Sequence, residues 1–351
     1  MERHSSTCRR RALALITVAT LLAGTAWAQQ SGSVVGWGRN THGQLDTPGP
    51  NADFVAVSAG ELHSVGLTAE GVIVAWGDGS LGQTAVPAAN YDFVAVAAGL
   101  AHNVALKANG SLRAWGLNWF GEATVPSPNS GFAAVAAGPF YSLGLKADGS
   151  IRAWGYNADG QCDVPAPNAD FVAVAAGGWH AAGLRSDGSI VCWGDNSNYQ
   201  CNVYGWNDDF VAVAAGDFHT LGLHADGSVS AWGDNYYGQC TVPYPNIGFV
   251  AIAAGFGYSV GLKEDGSVVA WGRNDYGQRD VPAPNSGFVA VAAGKEHALA
   301  IRVTAPPIVV GDLNCDGAID TADIDGFVLA LVNLAGYAAQ FPDCHVQAAD
   351  T

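Results

Sequence analysis

Seven tryptophans, Trp37, Trp76, Trp115, Trp154, Trp193, Trp232 and Trp271, stand 39 residues apart with no insertion between them. Phe54, Phe93, Phe132, Phe171, Phe210, Phe249 and Phe288 keep the same step, as do Gly60, Gly99, Gly138, Gly177, Gly216, Gly255 and Gly294. A period of this length restricts the chain to a solenoid, a propeller or an array, and the content of one unit chooses among them. Each unit runs from a segment such as Phe171-Val-Ala-Val-Ala-Ala-Gly177 through His180 to Leu184, an Asp187-Gly188 turn, Ser189 to Gly194, and a polar loop ending in Gln200-Cys-Asn-Val203. These read as four short strands. Asp-Gly, replaced by Asn109-Gly110 and Glu70-Gly71 in two units, supplies the positive φ angles that a tight hairpin requires. No helical period interrupts the units. The expected fold is therefore all-β: a seven-bladed β-propeller of four-stranded blades over 30–302, with alanine-rich first strands around a central channel.

The chain enters this repeat in mid-unit, since Ser33-Val-Val-Gly-Trp37 matches the third strand while Phe288 to Arg302 supplies only the first two. These N- and C-terminal half blades are expected to complete one blade, closing the ring and leaving no free sheet edge. Comparing the copies separates residues that serve every blade from residues free for other uses. The repeated Trp, Phe and Gly are of the first kind, each Trp an anchor packed between blades. His63, His102, His180, His219 and His297 share one slot with Tyr141 and Tyr258. A ring of seven catalytic groups is implausible, and structural hydrogen bonds are expected there.

In an up-and-down blade, the loop joining strands one and two lies on the same face as the loop joining strands three and four. The copies differ most in these loops. The first set carries Phe140, Trp179, Phe218 and Phe256; the second carries Trp119, Phe120, Tyr156, Tyr199, Tyr236, Tyr237 and Tyr276. The opposite loops are mostly monotonous, as in Val-Pro-Ala-Pro-Asn, and only Tyr204 and Trp206 break that pattern. Aromatic residues around one end of a rigid ring make a contact surface for a protein or a glycan, so this face is the expected binding site. The alternative is that they fold inward and shield the blade ends. Glu61, Asp159, Asp195, Asp217, Asp234, Asp275 and Glu296 are interspersed and suit a basic partner or sugar hydroxyls.

The pattern Val-Ala-Ala-Gly-x-x-His, then Asp-Gly-Ser, then Trp-Gly-x-Asn-x-x-Gly-Gln resembles the regulator of chromosome condensation repeat family, whose members are seven-bladed propellers. The match extends over about 270 of the 351 residues. Its uninterrupted short unit is similar to secreted bacterial propellers, including a class that inhibits β-lactamases through one face of the ring. Nuclear members that exchange guanine nucleotides use basic chromatin-binding segments, and this chain has none. Its formal charge of −16 disfavours nucleic acid and anionic membrane surfaces. Scarce charge with abundant Gly and Trp argues against disorder.

Arg3, Arg9, Arg10 and Arg11, the apolar run from Ala12 to Gly24, and the small-x-small site Ala26-Trp27-Ala28 read as an export signal over 1–28. A secreted, cell-surface or periplasmic protein is expected, with no membrane span after cleavage. Beyond a linker at 303–310, the segment 311–351 opens with Asp312-Leu-Asn314-Cys-Asp316-Gly317-Ala318-Ile-Asp320-Thr-Ala-Asp323. Asp312, Asn314, Asp316, Asp320 and Asp323 fall at positions one, three, five, nine and twelve of a twelve-residue calcium loop, with Gly317 at six and the backbone carbonyl of Ala318 at seven. Calcium is the expected cofactor. Asp323 at position twelve, followed by the helix-like Ile324 to Leu334, resembles a type I dockerin repeat. Dockerins carry two such repeats and dock onto cohesin modules. The resemblance thus implies a cohesin-like partner for what is expected to be a truncated half module.

Cys315 and Cys344 flank the terminal helix and are the expected disulfide, in keeping with export; Cys192 with Cys201 is a second candidate bridge. Taken together, these features point to a non-catalytic binding propeller with a calcium-binding docking tail. The alternative is an accessory or catalytic component of polysaccharide degradation, a lectin or a glycoside hydrolase, attached through a dockerin. Glycoside cleavage needs two carboxylates at a fixed separation, and no unit offers a pair that stands out.

Overall fold

The computed structural model describes residues 31–203, 205 and 207–303. The chain divides into two units, Met1–Val303 and Thr304–Thr351. The first contains seven antiparallel sheets. Blade 1 consists of Phe54–Ala59, His63–Thr68 and Ile73–Gly77, and blade 2 of Phe93–Ala98, His102–Lys107 and Leu112–Gly116. Blade 3 is Phe132–Ala137, Tyr141–Lys146 and Ile151–Gly155; blade 4 is Phe171–Ala176, His180–Arg185 and Ile190–Gly194. Blade 5 is Phe210–Ala215, His219–His224 and Val229–Gly233; blade 6 is Phe249–Ala254, Tyr258–Lys263 and Val268–Gly272. Blade 7 joins Phe288–Ala293 and His297–Arg302 to Ser33–Gly38, with Ser33 opposite Arg302 and Gly38 opposite His297. The offset start of the repeat thus closes the ring as the sequence implies. No helix among the described residues is long and apolar enough to cross a membrane.

Each blade has three strands, one fewer than expected. The segment read as a fourth, Gln200 to Val203 in blade 4, forms turns and irregular chain. In the other six copies the corresponding segment runs on through one or two prolines, most often as Val-Pro-x-Pro-Asn, and proline has no N–H to give a ladder; the copy in blade 4 carries no proline. A side chain does the pairing instead. Asn168 accepts from Ile151 N at 2.7 Å and donates to Ile151 O at 2.8 Å, and the same amide clamp recurs at Asn51, Asn90, Asn129, Asn207, Asn246 and Asn285. One asparagine thereby fastens the outer segment to the third strand.

The Asp-Gly hairpins also differ in detail. Only the glycine takes a positive φ (81° at Gly149), and Gly149 N donates to Lys146 O at 3.0 Å. This is an ordinary tight turn followed by one left-handed residue, a common three-residue hairpin.

The core is divided into seven clusters, one at each interface between neighbouring blades. Leu67 and Ile73 of blade 1, for example, pack with Phe93, Ala105 and Trp115 of blade 2. Every repeat tryptophan is at most 9% exposed. Six of the seven indoles donate to a carbonyl of the preceding blade's outer loop, as Trp115 does to Gln83 O at 3.0 Å. The middle strands are buried on both faces, and the alanine-rich first strands surround a channel of about 180 Å³.

Candidate functional site

The shared His/Tyr slot lies inside the ring and is structural. His63 Nε2 bonds Asn103 Oδ1 of the next blade at 2.9 Å, and Asn103 Nδ2 donates to Gln83 O at 2.8 Å. His297 meets Ser64 Oγ at 2.9 Å, and that hydroxyl donates to Gln44 O at 2.8 Å. Since the serine proton is committed to a carbonyl, the histidine supplies the proton in the bond between them: these rings carry it on Nε2, and Nδ1 has no partner. Burial keeps them neutral, holding His102, His219 and His297 down to about 3 and His180 to about 4.

The sequence Gly257-Tyr-Ser-Val-Gly261 fits the nucleophile pattern Gly-x-Ser-x-Gly, and His219 lies 2.9 Å from Ser259. Ser259 nevertheless sits fully buried within a strand and donates to Gln239 O. The arrangement repeats around the ring and offers no exposed nucleophile.

Both expected loop sets share one face. Asp78 N donates to Leu62 O at 2.9 Å, tying the third-strand exit of blade 1 to its first hairpin, and the tie repeats from blade to blade. Each outer loop is held from below by the buried Gln of the Gly-Gln motif, or by Glu122 in blade 2. These side-chain oxygens accept the main-chain N–H of Phe120 at 2.7 Å, Tyr237 at 2.9 Å and Tyr276 at 2.9 Å, the residues on display. Loops fixed in this way lose little freedom on binding.

The eleven expected aromatic residues fall into two groups by exposure. Trp119, Phe120, Tyr199, Tyr236, Tyr237 and Tyr276 are exposed, Tyr236 at 83% and Trp119 at 69%. Phe140, Tyr156, Trp179, Phe218 and Phe256 are half-buried. One cluster spans blades 2–4: Phe120 packs against Phe140 and Tyr156, with ring centroids 5.5 and 4.9 Å apart, and both of these meet Trp179, at 6.2 and 5.8 Å. A second spans blades 5–7, with Phe218 6.3 Å from Phe256 and Tyr236 4.9 Å from Tyr237. The second cluster is centred on Arg273, which the sequence reading missed. Its guanidinium lies 5.0 Å from the ring of Phe256, 5.4 Å from Tyr237 and 5.7 Å from Tyr276, and pairs with Asp275 at 2.7 Å and Glu296 at 3.3 Å. Arg39 joins the same group through Glu296 at 2.6 Å and Tyr276 at 5.2 Å.

A signal for Arg39 and Arg273 was present in the repeat. They share a slot with Asp78, Leu117, Tyr156, Asp195 and Asp234. Where the slot holds Asp, that carboxylate accepts from the buried glutamine amide: Gln83 at 3.1 Å, Gln200 at 2.8 Å and Gln239 at 2.8 Å. Where it holds Leu117, the glutamine is replaced by Glu122, which has no amide donor to strand. Where it holds Arg39, Tyr156 or Arg273, the Nε2 of Gln44, Gln161 or Gln278 is buried without a partner. Orphaning a buried donor is costly, so these three positions serve the face and not the fold.

The channel opens on the same face. The seven repeat glycines ring its mouth, and a Cβ at Gly60 would overlap both the His63 ring and the carbonyl of Gly99. Glu61, Leu100, Pro139, Asp217 and Lys295 line a cavity of about 110 Å³ there. Lys295 pairs with Glu61. Burial pushes the Asp217 carboxyl up to about 6, opposed by Lys295 and reinforced by Glu61.

The opposite rim is less monotonous than expected, because Tyr91, Tyr244 and Ile247 are exposed there, Tyr244 at 97%. Tyr204 and Trp206 lie outside the described residues, as do Asp312, Asn314, Asp316, Ala318, Asp320, Asp323, Cys315 and Cys344. Cys192 and Cys201 interact as free thiols and form no bridge. Burial raises the thiols of Cys162 and Cys240 to about 12, far from the range of a reactive thiolate. Among the described residues, no three His, Cys, Asp or Glu side chains gather as metal ligands.

Seven radial sheets closed by a shared blade, with loops fixed on one rim around an open channel, define a seven-bladed β-propeller. Residues 54–83, 93–122, 132–161, 171–200, 210–239 and 249–278 each match the model of the Regulator of chromosome condensation (RCC1) repeat, together half of the chain. The chain belongs to that family. Among solved structures, it is similar to Prp20p from Saccharomyces cerevisiae, a study of which also addressed binding to Gsp1p and histones. The identity is 18% and the TM-score 0.67, over 78% of this chain and 92% of that one. Human WBSCR16 aligns at 16% identity with a TM-score of 0.63, over 78% and 99%. The ectodomain of the Physcomitrella patens receptor kinase CR4 aligns at 26% identity with a TM-score of 0.57, over 67% and 66%. No curated protein sequence matches the chain.

Proposed function

We propose that this protein is a secreted, non-catalytic binding propeller that recognises a protein through its aromatic face. The observation that carries the reading is the pair of aromatic clusters on loops fixed from below, with Arg39, Tyr156 and Arg273 placed there although each leaves a glutamine amide unpaired. Interface hot spots are made of preorganised Trp, Tyr and Arg. Prp20p, a propeller of the same repeat family, is described with its binding to Gsp1p and histones, which accords with a propeller rim used for protein contact.

Export through 1–28 and a calcium loop in 311–351 belong to the same proposal. The donor set Asp312, Asn314, Asp316, Asp320 and Asp323 with the Ala318 carbonyl is all oxygen and fits a hard divalent cation, whose binding would order a docking tail.

The test is retention of protein from an envelope extract by the immobilised protein. Replacing Trp119, Trp179 and Phe218 with Ala is expected to abolish retention while circular dichroism and melting stay those of the parent. Retention equal to the parent's would overturn the reading. A glycan array that lights up in a Trp119-dependent way would move the ligand from protein to carbohydrate.

A further inference from the structure

Glu61, Asp217 and Lys295 are the charged side chains lining the channel mouth. Two of them satisfy each other, the Lys295 ammonium pairing with Glu61. Among the described residues, Asp217 is left without a hydrogen bond or ion pair of its own, although it lines a cavity of about 110 Å³. Its neighbour across the blade interface is Gly178, where a side chain would run into the Asp217 backbone and Cβ. The residues next along the chain, Trp179 after Gly178 and Phe218 after Asp217, belong one to each aromatic cluster. A half-buried carboxylate without a partner, at the end of an open channel whose other lining is mostly alanine, glycine, Leu100 and Pro139, favours a cation that brings an aliphatic stem. The net charge of −16 draws a basic surface toward it.

We propose that the channel mouth is a receptor for one cationic side chain, a lysine or arginine projecting from the protein partner, with Asp217 as the acceptor of its charge. This deepens the proposed function and rests on it for the identity of the partner as a protein. The head of the side chain meets the Asp217 carboxylate, and its methylene stem lies along the apolar lining of the mouth, Leu100, Pro139 and the ring of alanines. The Glu61–Lys295 pair closes the far side of the mouth.

The test uses the whole protein and three small probes: the N-acetyl, N-methylamide derivatives of lysine, arginine and norleucine. Saturable amide chemical-shift changes at Gly216, Asp217 and Gly255 are expected with the two cationic probes and not with norleucine, which has an apolar stem without the charge. Asp217→Asn should weaken the cationic probes by roughly ten- to hundredfold, the range of a charge-assisted hydrogen bond. The same substitution should raise the melting temperature, because it removes a carboxylate whose charged form the fold disfavours. A purely structural role for Asp217 predicts the opposite melting shift. The preferred cationic probe tells lysine from arginine. Equal binding of the cations to the parent and to the Asp217→Asn variant, equal shifts with norleucine, or no saturable shift with either cation would overturn the proposal. The probes need no partner, so these outcomes are independent of the retention experiment. Probe binding with unchanged retention in the aromatic variant would sink the aromatic-face reading alone.

Discussion

Tyrosine replaces histidine at two of the seven inner slots, and the reason stands one blade away. His63, His102, His180, His219 and His297 face Asn103, Ser142, Thr220, Ser259 and Ser64; Tyr141 and Tyr258 face Ala181 and Ala298. The longer ring fills the place of the missing hydroxyl, and its own hydroxyl reaches the carbonyls of the next blade, at 3.1 Å for Tyr141 to Gly177 and 3.0 Å for Tyr258 to Gly294. Tyr141→His is expected to cost about 1–3 kcal/mol by leaving a buried N–H unpaired, and adding Ala181→Ser should recover about 1 kcal/mol. Urea denaturation of the two single variants and the double variant measures both. The buried histidines also set an acid limit. The unfolded chain takes up protons near 6.5, whereas the folded rings resist protonation down to about 3 or 4. Below 6.5 the unfolded state therefore binds more protons, so stability is full above that pH and falls as pH drops from about 6.5 toward 3 to 4. Asp217 acts in the opposite direction, its raised carboxyl costing stability above about 6, but it is one group against several. The denaturant midpoint should decline steadily on acidification; a flat profile would mean the rings are not buried neutral. The His/Tyr alternation was legible in the sequence, while its pairing with the Ser/Ala alternation needed the neighbouring blade to be placed.

Among the elements, three strands per blade were legible from Phe, Asp-Gly and Trp-Gly, and the fourth was misread for a physical reason. An apolar stretch such as Val164-Pro-Ala-Pro looks extended, and it is packed, but it cannot donate the hydrogen bonds that make a strand. The asparagine at its end carries that burden through two bonds to Ile151. Asn168→Ala should lower stability by about 1–3 kcal/mol and open the segment between Cys162 and Asn168 to proteolysis. Asn168→Asp should do nearly the same, because a carboxylate can accept from Ile151 N but cannot donate to its carbonyl. If the aspartate variant matched the parent in both respects, the outer segment would be held by packing and not by the amide. The aromatic loops themselves were readable as variable positions. The slot of Arg273 varies too, but its role at the centre of a cluster was not legible, because its three rings come from Phe256, Tyr237 and Tyr276, in loops of two neighbouring blades that only the closed ring brings together.

For the whole molecule, the regular 39-residue step translates into seven interfaces of one design. The closing blade has the same construction as the rest: Trp37, from the far end of the described chain, donates to Gln278 O at 2.8 Å as Trp154 does to Glu122 O at 2.9 Å. Trp37→Ala and Trp154→Ala should therefore be about equally damaging, each costing about 3–5 kcal/mol, with a single melting transition for both. A Trp37 variant that melts in two steps, or scarcely differs from the parent, would show the seam to be weaker than the ring. The channel mouth lay beyond sequence reading for a related reason. Asp217 was visible only as one acid among many, and its isolation depends on Lys295 having already been taken by Glu61 from the blade next to it.

The side-chain oxygen beneath each loop, from glutamine or from Glu122, accepts the peptide N–H of a tip residue and makes no demand on that residue's own side chain. What projects outward at a given tip is therefore a matter of nearly free choice, and seven such tips can be altered separately. A scaffold of this kind can acquire a new target by successive single substitutions, each judged by recognition and almost none by folding.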